Sequence, residues 1–298
     1  MNKKSIIPQG CKLMAARNGI KVLMYHRITD HVVVTNGARD FCVRAKSFRR
    51  QLELLEWLGF TPITFNDYRL VLDGELNLPK KPVILTFDDG YVDTFEIAFP
   101  LLEEFGMKGV VFALGDRSIS HNVWDAHDGL ANTRLMTDQQ ILEMHAAGHE
   151  IGSHSMSHPK LTLLPREKAW EEISRSRMLL EMLLNAPVRS FSYPYGLVNE
   201  MLKNMVADAG YSLACGVYTG PARFGLDPFE LRRIAVPGSL NSVGFGVRML
   251  APYSRYQWLR RKAKDVLMSP STFGQSRGHA ISLPEINKTN DIALKDLS

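Results

Sequence analysis

Pro82-Val-Ile-Leu-Thr-Phe87 is apolar at nearly every position, so a strand built from it has no polar face to give to water. Such a strand must be covered on both sides, the condition of a parallel sheet with helices packed against it. Further strand runs are read at Lys21–His26, Gly109–Ala113, residues 149–152, Val188–Tyr193, Ser212–Val217 and Leu231–Val236. Helical patterns lie between them. Phe48, Leu52, Leu54, Leu55, Leu58 and Phe60 recur at helical spacing with Gly59 as the stop, and Thr94–Phe105 is stopped by Gly106. Thr137 reads as an N-cap with Gln140 three residues on, leading into Ile141–Ala147 and the stop at Gly148. Two more helices are expected from Pro165 to about Leu184 and over Leu197–Ala209. Strands alternating with helices predict an α/β fold, a distorted (β/α) barrel.

The domain reading is a flexible leader over 1–19, the barrel over 20–240 and a basic, partly disordered extension over 241–298. From Pro237 the alternation dissolves. Tyr253–Met268 reads as a basic helix with Arg255, Arg260, Arg261, Lys262 and Lys264. It either lies on an anionic surface or covers the open end of the barrel, and the second is preferred.

Composition excludes little. Apolar residues make up 45% and charged residues 22%, which supports a sizeable core. The net charge of +5 is spread along most of the chain, so a solvated surface is the first reading. Three separated cysteines, Cys11, Cys42 and Cys215, argue against a disulfide framework. The start, Met1-Asn-Lys-Lys-Ser, lacks the apolar core of a signal peptide, and no run has the apolar length of a membrane span. Cytoplasmic is therefore the default expectation, with peripheral membrane contact through the basic segment and export as alternatives. Nucleic acid is not an expected partner.

Chemistry gathers at the ends of the strands. Asp88 and Asp89 close the Pro82 strand, His154 and His158 follow the strand at 149–152, and Tyr193-Pro-Tyr-Gly196 follows another; His26 ends the first. In a (β/α) barrel these ends form the active face. A carboxylate with two imidazoles is a common set for a catalytic divalent ion, and a second carboxylate beside it is a natural general base. Consecutive strand residues point to opposite faces, so Asp88 and Asp89 line one site only if the strand breaks, which Gly90 permits. His154 and His158, four residues apart, share a face if Ser153–His158 makes a helical turn. His145 and His149 have the same spacing but are separated by Gly148, and they read as structural. Phe191–Gly196 would wall the site, its Pro-aromatic-Gly turn offering a backbone N–H to an oxyanion.

Thr86–Gly90, Ser153–Pro159 and Phe191–Gly196 resemble, in order and in strand position, the first three motifs of the polysaccharide deacetylases, the NodB-homology or carbohydrate esterase four family. The resemblance covers roughly residues 20–236. It implies a distorted (β/α) barrel holding a divalent metal, zinc foremost, with cobalt, nickel and manganese compatible with the ligand set. It further implies Asp89, His154 and His158 as ligands, Asp88 as base toward a metal-activated water, and the Tyr195 N–H as an oxyanion donor. Pro194, Tyr193 and Trp124 join Tyr195 as expected substrate contacts.

Two positions depart from the family pattern. Ser192 stands where many members carry an arginine that braces the base, and no Leu-x-His motif with a leaving-group acid follows the last strand. Met24-Tyr25-His26-Arg27 resembles the first strand of the branch that deacetylates poly-N-acetylglucosamine, and first and last strands are neighbours in a closed barrel. His26 is therefore the candidate acid and Arg233 the candidate brace. The resulting expectation is a hydrolase that removes N-acetyl groups from N-acetylhexosamine units of a polysaccharide or its precursor. The alternatives are an amidase or cyclic imidase on a non-saccharide substrate, distinguished by the shape around Trp124, Asp125 and Tyr195, and a glycan-binding protein without catalysis.

Overall fold

The computed structural model describes residues 19–30, 41–128, 132–221, 223–250 and 259. The predicted leader up to residue 18, Cys11 within it, the basic segment apart from Leu259, and the tail 269–298 lie outside the described residues. In chain order the elements are β1 (Lys21–Tyr25), β2 (Arg27–Ile28), β3 (Cys42–Val43), α1 (Ala45–Trp57), β4 (Thr61–Pro62), α2 (Phe65–Asp73) and β5 (Pro82–Phe87). There follow α3 (Phe99–Glu104), β6 (Val110–Ala113), α4 (Asp138–Ala146), β7 (Glu150–Ser153), α5 (Arg166–Leu184), β8 (Ser190–Ser192), α6 (Glu200–Asp208), β9 (Leu213–Cys215), β10 (Ile234–Ala235) and α7 (Ser242–Met249).

The main sheet runs β10-β1-β5-β6-β7-β8-β9, with β4 beside β5. All of its pairs are parallel. It curls because the segment before β10 continues the ladder of β9: Leu231 N–H donates to Ala214 O, Gly216 N–H to Leu231 O and Arg233 N–H to Val217 O. Ile234 and Ala235 then pair with Leu23 and Met24, so the last strand lies against the first, as expected for a barrel.

Alternation along the strands separates two cores. Val22, Ile84, Val110, Phe112, Leu213 and Cys215 share one with Phe65 and Tyr68 of α2. Leu23, Tyr25, Val83, Leu85, Phe87, Val111 and Ala113 face the other, beneath the covering helices. The first set lines the inside of the curl and the second lies outside it. Cys42 and Cys215 are buried free thiols. Among the described residues no helix is long and apolar enough to cross a membrane.

Several expectations need correction. Thr94–Phe105 is not one α-helix: Thr94–Ala98 is a π-helix that passes into α3. Pro100 has no N–H for the Glu96 carbonyl and its ring crowds that oxygen, which widens the preceding turn. α6 begins at Glu200 rather than Leu197 because the Asn199 side chain accepts from the Leu202 N–H and starts the helix there. The pattern does not dissolve at Pro237: Asn241 caps α7, Phe245 and Met249 are buried, and the helix packs against α1. α2 was also unforeseen, although Thr64 and Asp67 form a capping box at its start.

α2 plugs the end of the barrel opposite the site. Its second residue, Asn66, donates a backbone N–H to Glu150 Oε2 at 2.7 Å, and Ser190 Oγ donates to Oε1 at 2.6 Å. Burial pushes the Glu150 carboxyl up from 4.5 to about 7; these hydrogen bonds oppose the rise, and Asp67 adds to it. The stabilisation tied to the protonated form is full below about pH 4.5 and is lost as pH rises through about 7. Replacing Glu150 with Gln should therefore flatten this part of the profile. The difference in unfolding free energy between variant and wild type should move in the variant's favour between pH 5 and 8, by on the order of 3 kcal/mol, in denaturant titrations at each pH.

Candidate active site

Inward-pointing residues of the strands set the site. Thr86 of β5, Ser190 and Ser192 of β8 and Glu150 of β7 follow the inward alternation, and continuing it past the strand ends brings Asp88 and His154 to the same face. Asp89 would point away, but its φ of 72° and that of Gly90, 71°, turn the chain and return its carboxylate to the inside. The break expected at Gly90 thus begins one residue earlier, at an aspartate, a residue tolerated in this region more readily than most.

Asp89 Oδ1 lies 3.1 Å from His154 Nε2 and 3.3 Å from His158 Nε2. The predicted helical turn that would join the two histidines is absent. β7 ends at Ser153, and left-handed backbone at Ser155 (φ 65°) and His158 (φ 63°) folds the segment so that the rings converge. His154 Nδ1 lies 2.8 Å from Ser192 O, which fixes the tautomer that leaves Nε2 as a lone-pair donor. His158 is stacked on Trp124, with centroids 4.5 Å apart, and Tyr195 lies 4.7 Å away on the ring.

Asp89 Oδ1 is buried and has no hydrogen-bond partner although two ring nitrogens are this close. A buried carboxylate oxygen without a donor is costly, and the three donor atoms lie within 4.8 Å of one another. The set therefore fits a divalent cation at its focus, and the donor chemistry suits zinc and its neighbours. Burial raises the Asp89 carboxyl, but the two imidazoles hold it well below the usual range. Burial lowers both imidazoles; the aspartates outweigh it at His154 and fall short at His158.

Asp88 has different company. Arg233, fully buried, donates from Nη1 to Oδ1 at 2.6 Å and from Nη2 to Oδ2 at 2.7 Å. The guanidinium also donates to Ser192 Oγ at 3.0 Å, Thr86 Oγ1 at 3.2 Å and Gly216 O at 2.8 Å, and it lies over the Phe112 ring. Ser192 is small enough to leave this space, and the Arg233 side chain fills it from the segment just before β10. Gly152 makes room on the other side, since a Cβ there would lie 2.6 Å from the Phe112 ring. Burial raises the Asp88 carboxyl, and the charges of Arg233 and His154 with the Arg233 hydrogen bonds bring it below its ordinary value.

A family model described as polysaccharide deacetylase matches residues 75–214, the stretch that carries both aspartates, both histidines and the Tyr193–Gly196 turn. That stretch is a polysaccharide deacetylase domain. It is 28% identical to the putative polysaccharide deacetylase YxkH of Bacillus subtilis over 76% of this chain and 75% of that one. It is 31% identical to the poly-beta-1,6-N-acetyl-D-glucosamine N-deacetylase of Escherichia coli O157:H7 over 71% of this chain, but spans only 37% of that relative's length. Streptococcus pyogenes deacetylase PplD, solved in complex with acetate, shares the fold with a TM-score of 0.66 at 24% identity, covering 78% of this chain and 98% of that one.

Within this family site the remaining sequence expectations fall out unevenly. His26 continues the inward alternation of β1, lies edge-on to Phe41 at 4.9 Å, and is near enough for its charge to act on both aspartates. Trp124 and Tyr195 stand at the rim, Tyr195 44% exposed. Tyr193 does not: it is fully buried on the outward side of β8 and donates its hydroxyl to Phe229 O, because residues 191 and 193 face the helices. Pro194 is buried as well and shapes the turn rather than a contact surface. His149 is structural, accepting from the Gly109 N–H and meeting Glu103. Sequence reasoning gave no role to Tyr91 and Asn122, whose side chains gather around Asp125.

Two outcomes follow. Arg233→Met leaves a buried carboxylate without its partner and should lower unfolding free energy by about 3–5 kcal/mol, with part recovered in the Asp88→Asn/Arg233→Met double variant; denaturant unfolding measures both. Zinc added to metal-stripped protein should raise the melting temperature of the wild type and leave that of Asp89→Ala and His154→Ala unmoved, read by calorimetry.

Proposed function

We propose that this chain is a metal-dependent hydrolase that removes N-acetyl groups from N-acetylhexosamine units of a polysaccharide or its precursor. The observation that carries the reading is the division of labour between two adjacent carboxylates. Asp89 Oδ1 faces two imidazole nitrogens and has no hydrogen-bond partner, whereas Asp88 is gripped by one arginine.

Asp89, His154 and His158 would hold a divalent ion, zinc foremost. Bound there, the ion supplies Lewis-acid polarisation of the acetyl carbonyl and lowers the pKa of water. Asp88 removes a proton from the attacking water, and Arg233 keeps that carboxylate ionised and aimed. The Tyr195 N–H, in a turn whose φ is 59°, donates to the oxygen of the tetrahedral intermediate. The C–N bond then breaks, with His26 giving a proton to nitrogen, so acetate and a free amine are the products. Trp124 and Tyr195 flank His158 at an open rim, a surface on which sugar rings stack, and this favours a glycan over a small amide in a closed pocket.

Acetate release from N-acetylglucosamine oligomers by zinc-loaded protein is the direct test. Asp88→Asn should lower kcat by about 10²–10⁴-fold without loss of the zinc-induced melting shift. His26→Ala should lower kcat, read in the same acetate-release assay. Absence of release from every acetylated glycan, with zinc bound, would reject the reading; full activity in His26→Ala would reject only its acid role.

A further inference from the structure

Asp125 sits one residue after the tryptophan stacked on His158, in the loop between β6 and α4. Its Oδ2 accepts from the Tyr91 hydroxyl at 2.9 Å and from Asn122 Nδ2 at 3.0 Å. Both donors are buried, and neither is free to move. Tyr91 bridges to Leu135 and packs with Leu114, Leu135 and Trp124, while Asn122 Oδ1 accepts from the Thr133 N–H at 2.8 Å. Tyr91 also lies two residues beyond Asp89, so the segment that carries the paired aspartates fixes this third carboxylate too.

Both hydrogen bonds fall on one oxygen. Asp125 itself stays half-buried beside the rim tryptophan, so its side chain is not enclosed by the fold. Holding the loop needs one neutral acceptor. A carboxylate anchored through one oxygen keeps its second oxygen as a further acceptor, already oriented by the clamp.

We propose that Asp125 reads the sugar: Oδ1 accepts hydrogen bonds from hydroxyls of the saccharide unit that carries the acetyl group, which sets the preference of the site for glycans over amides and esters without hydroxyls. The proposal rests on the deacetylase reading above. A charge-assisted bond to a hydroxyl is stronger than a neutral one, and a substrate with no hydroxyl leaves a desolvated carboxylate unpaired, so discrimination comes from both sides.

The test compares kcat/KM on N-acetylglucosamine oligomers and on 4-nitrophenyl acetate, with zinc-loaded full-length protein. In Asp125→Asn the amide oxygen replaces Oδ2 in the clamp, and the NH2 turns the rim acceptor into a donor. The ratio of glycan to ester kcat/KM should fall about 10- to 100-fold, mostly through KM for the glycan, with the melting temperature kept. An unaltered ratio in Asp125→Asn, with Asp125→Ala lowering both substrates together, would show a loop clamp alone and overturn the proposal. Wild-type protein that hydrolyses the ester but no glycan would overturn it together with the deacetylase reading. Wild-type glycan activity with the ratio unchanged in the variant would overturn this proposal alone.

Discussion

The buried pair of Asp88 and Arg233 is the constraint around which the site is arranged. An ionised carboxylate this far from water survives only with a partner of opposite charge, and an arginine this buried needs acceptors for its whole fork. The fork finds them on three strand ends: Asp88 and Thr86 from β5, Ser192 from β8 and Gly216 just after β9. Because Arg233 reaches the site from the segment that lies between β9 and β1, the pair also ties the end of the sheet to its middle. Chemistry and closure of the curl therefore share one set of contacts.

Backbone strain does the complementary work at the triad. Regular strands alternate, so neighbouring residues cannot converge, yet here Asp88 and Asp89 both turn inward and His154 and His158 meet on Asp89. Left-handed backbone at Asp89, Ser155, His158 and Tyr195 breaks the alternation only beyond the ends of β5, β7 and β8. Four non-glycine residues in that region, clustered around one set of donor atoms, are costly turns that the surrounding hydrogen bonds hold in place. The Ser155 hydroxyl, for example, accepts from the His158 N–H at 3.1 Å.

The chain made the strands and their chemistry legible because both are local. Pro82–Phe87 is buried throughout, as its composition demands, and the residues just beyond the strand ends are where the reactive groups stand. Tyr193 was misplaced for an equally simple reason: it adjoins a turn at the rim, but alternation from Ser192 sends it outward. The helical turn assigned to His154 and His158 failed because four-residue spacing describes a helix only where the dihedrals are helical, and two positive φ values achieve the same convergence. α2 and α7 were missed since each is short, nine and eight residues, and spans little more than two turns; the caps at Thr64 and Asn241 were the readable signs. The plug that α2 forms under Glu150 depends on a contact across 84 positions, which no local pattern contains.

Asp88, the proposed base, and the proposed metal triad are held by different parts of the sheet, and this has a consequence for how the site fails. Asp89, His154 and His158 belong to the loops after β5 and β7, and His154 is steadied by the carbonyl at the end of β8. The brace on Asp88 comes from the last strand end, held by the ladder to β9 and by Val236 on β1. Opening of that terminal segment would release Arg233, let burial drive the Asp88 carboxyl toward its neutral form, and leave the triad intact. On the proposed reading, a chain in that state would keep the donor set for a cation while losing its base. α7 opposes the opening, because it packs on α1 and its Arg248 donates to the carbonyl of Ala235 in β10. The helix beyond Pro237 thus serves the chemistry at a distance, through the strand that carries the arginine.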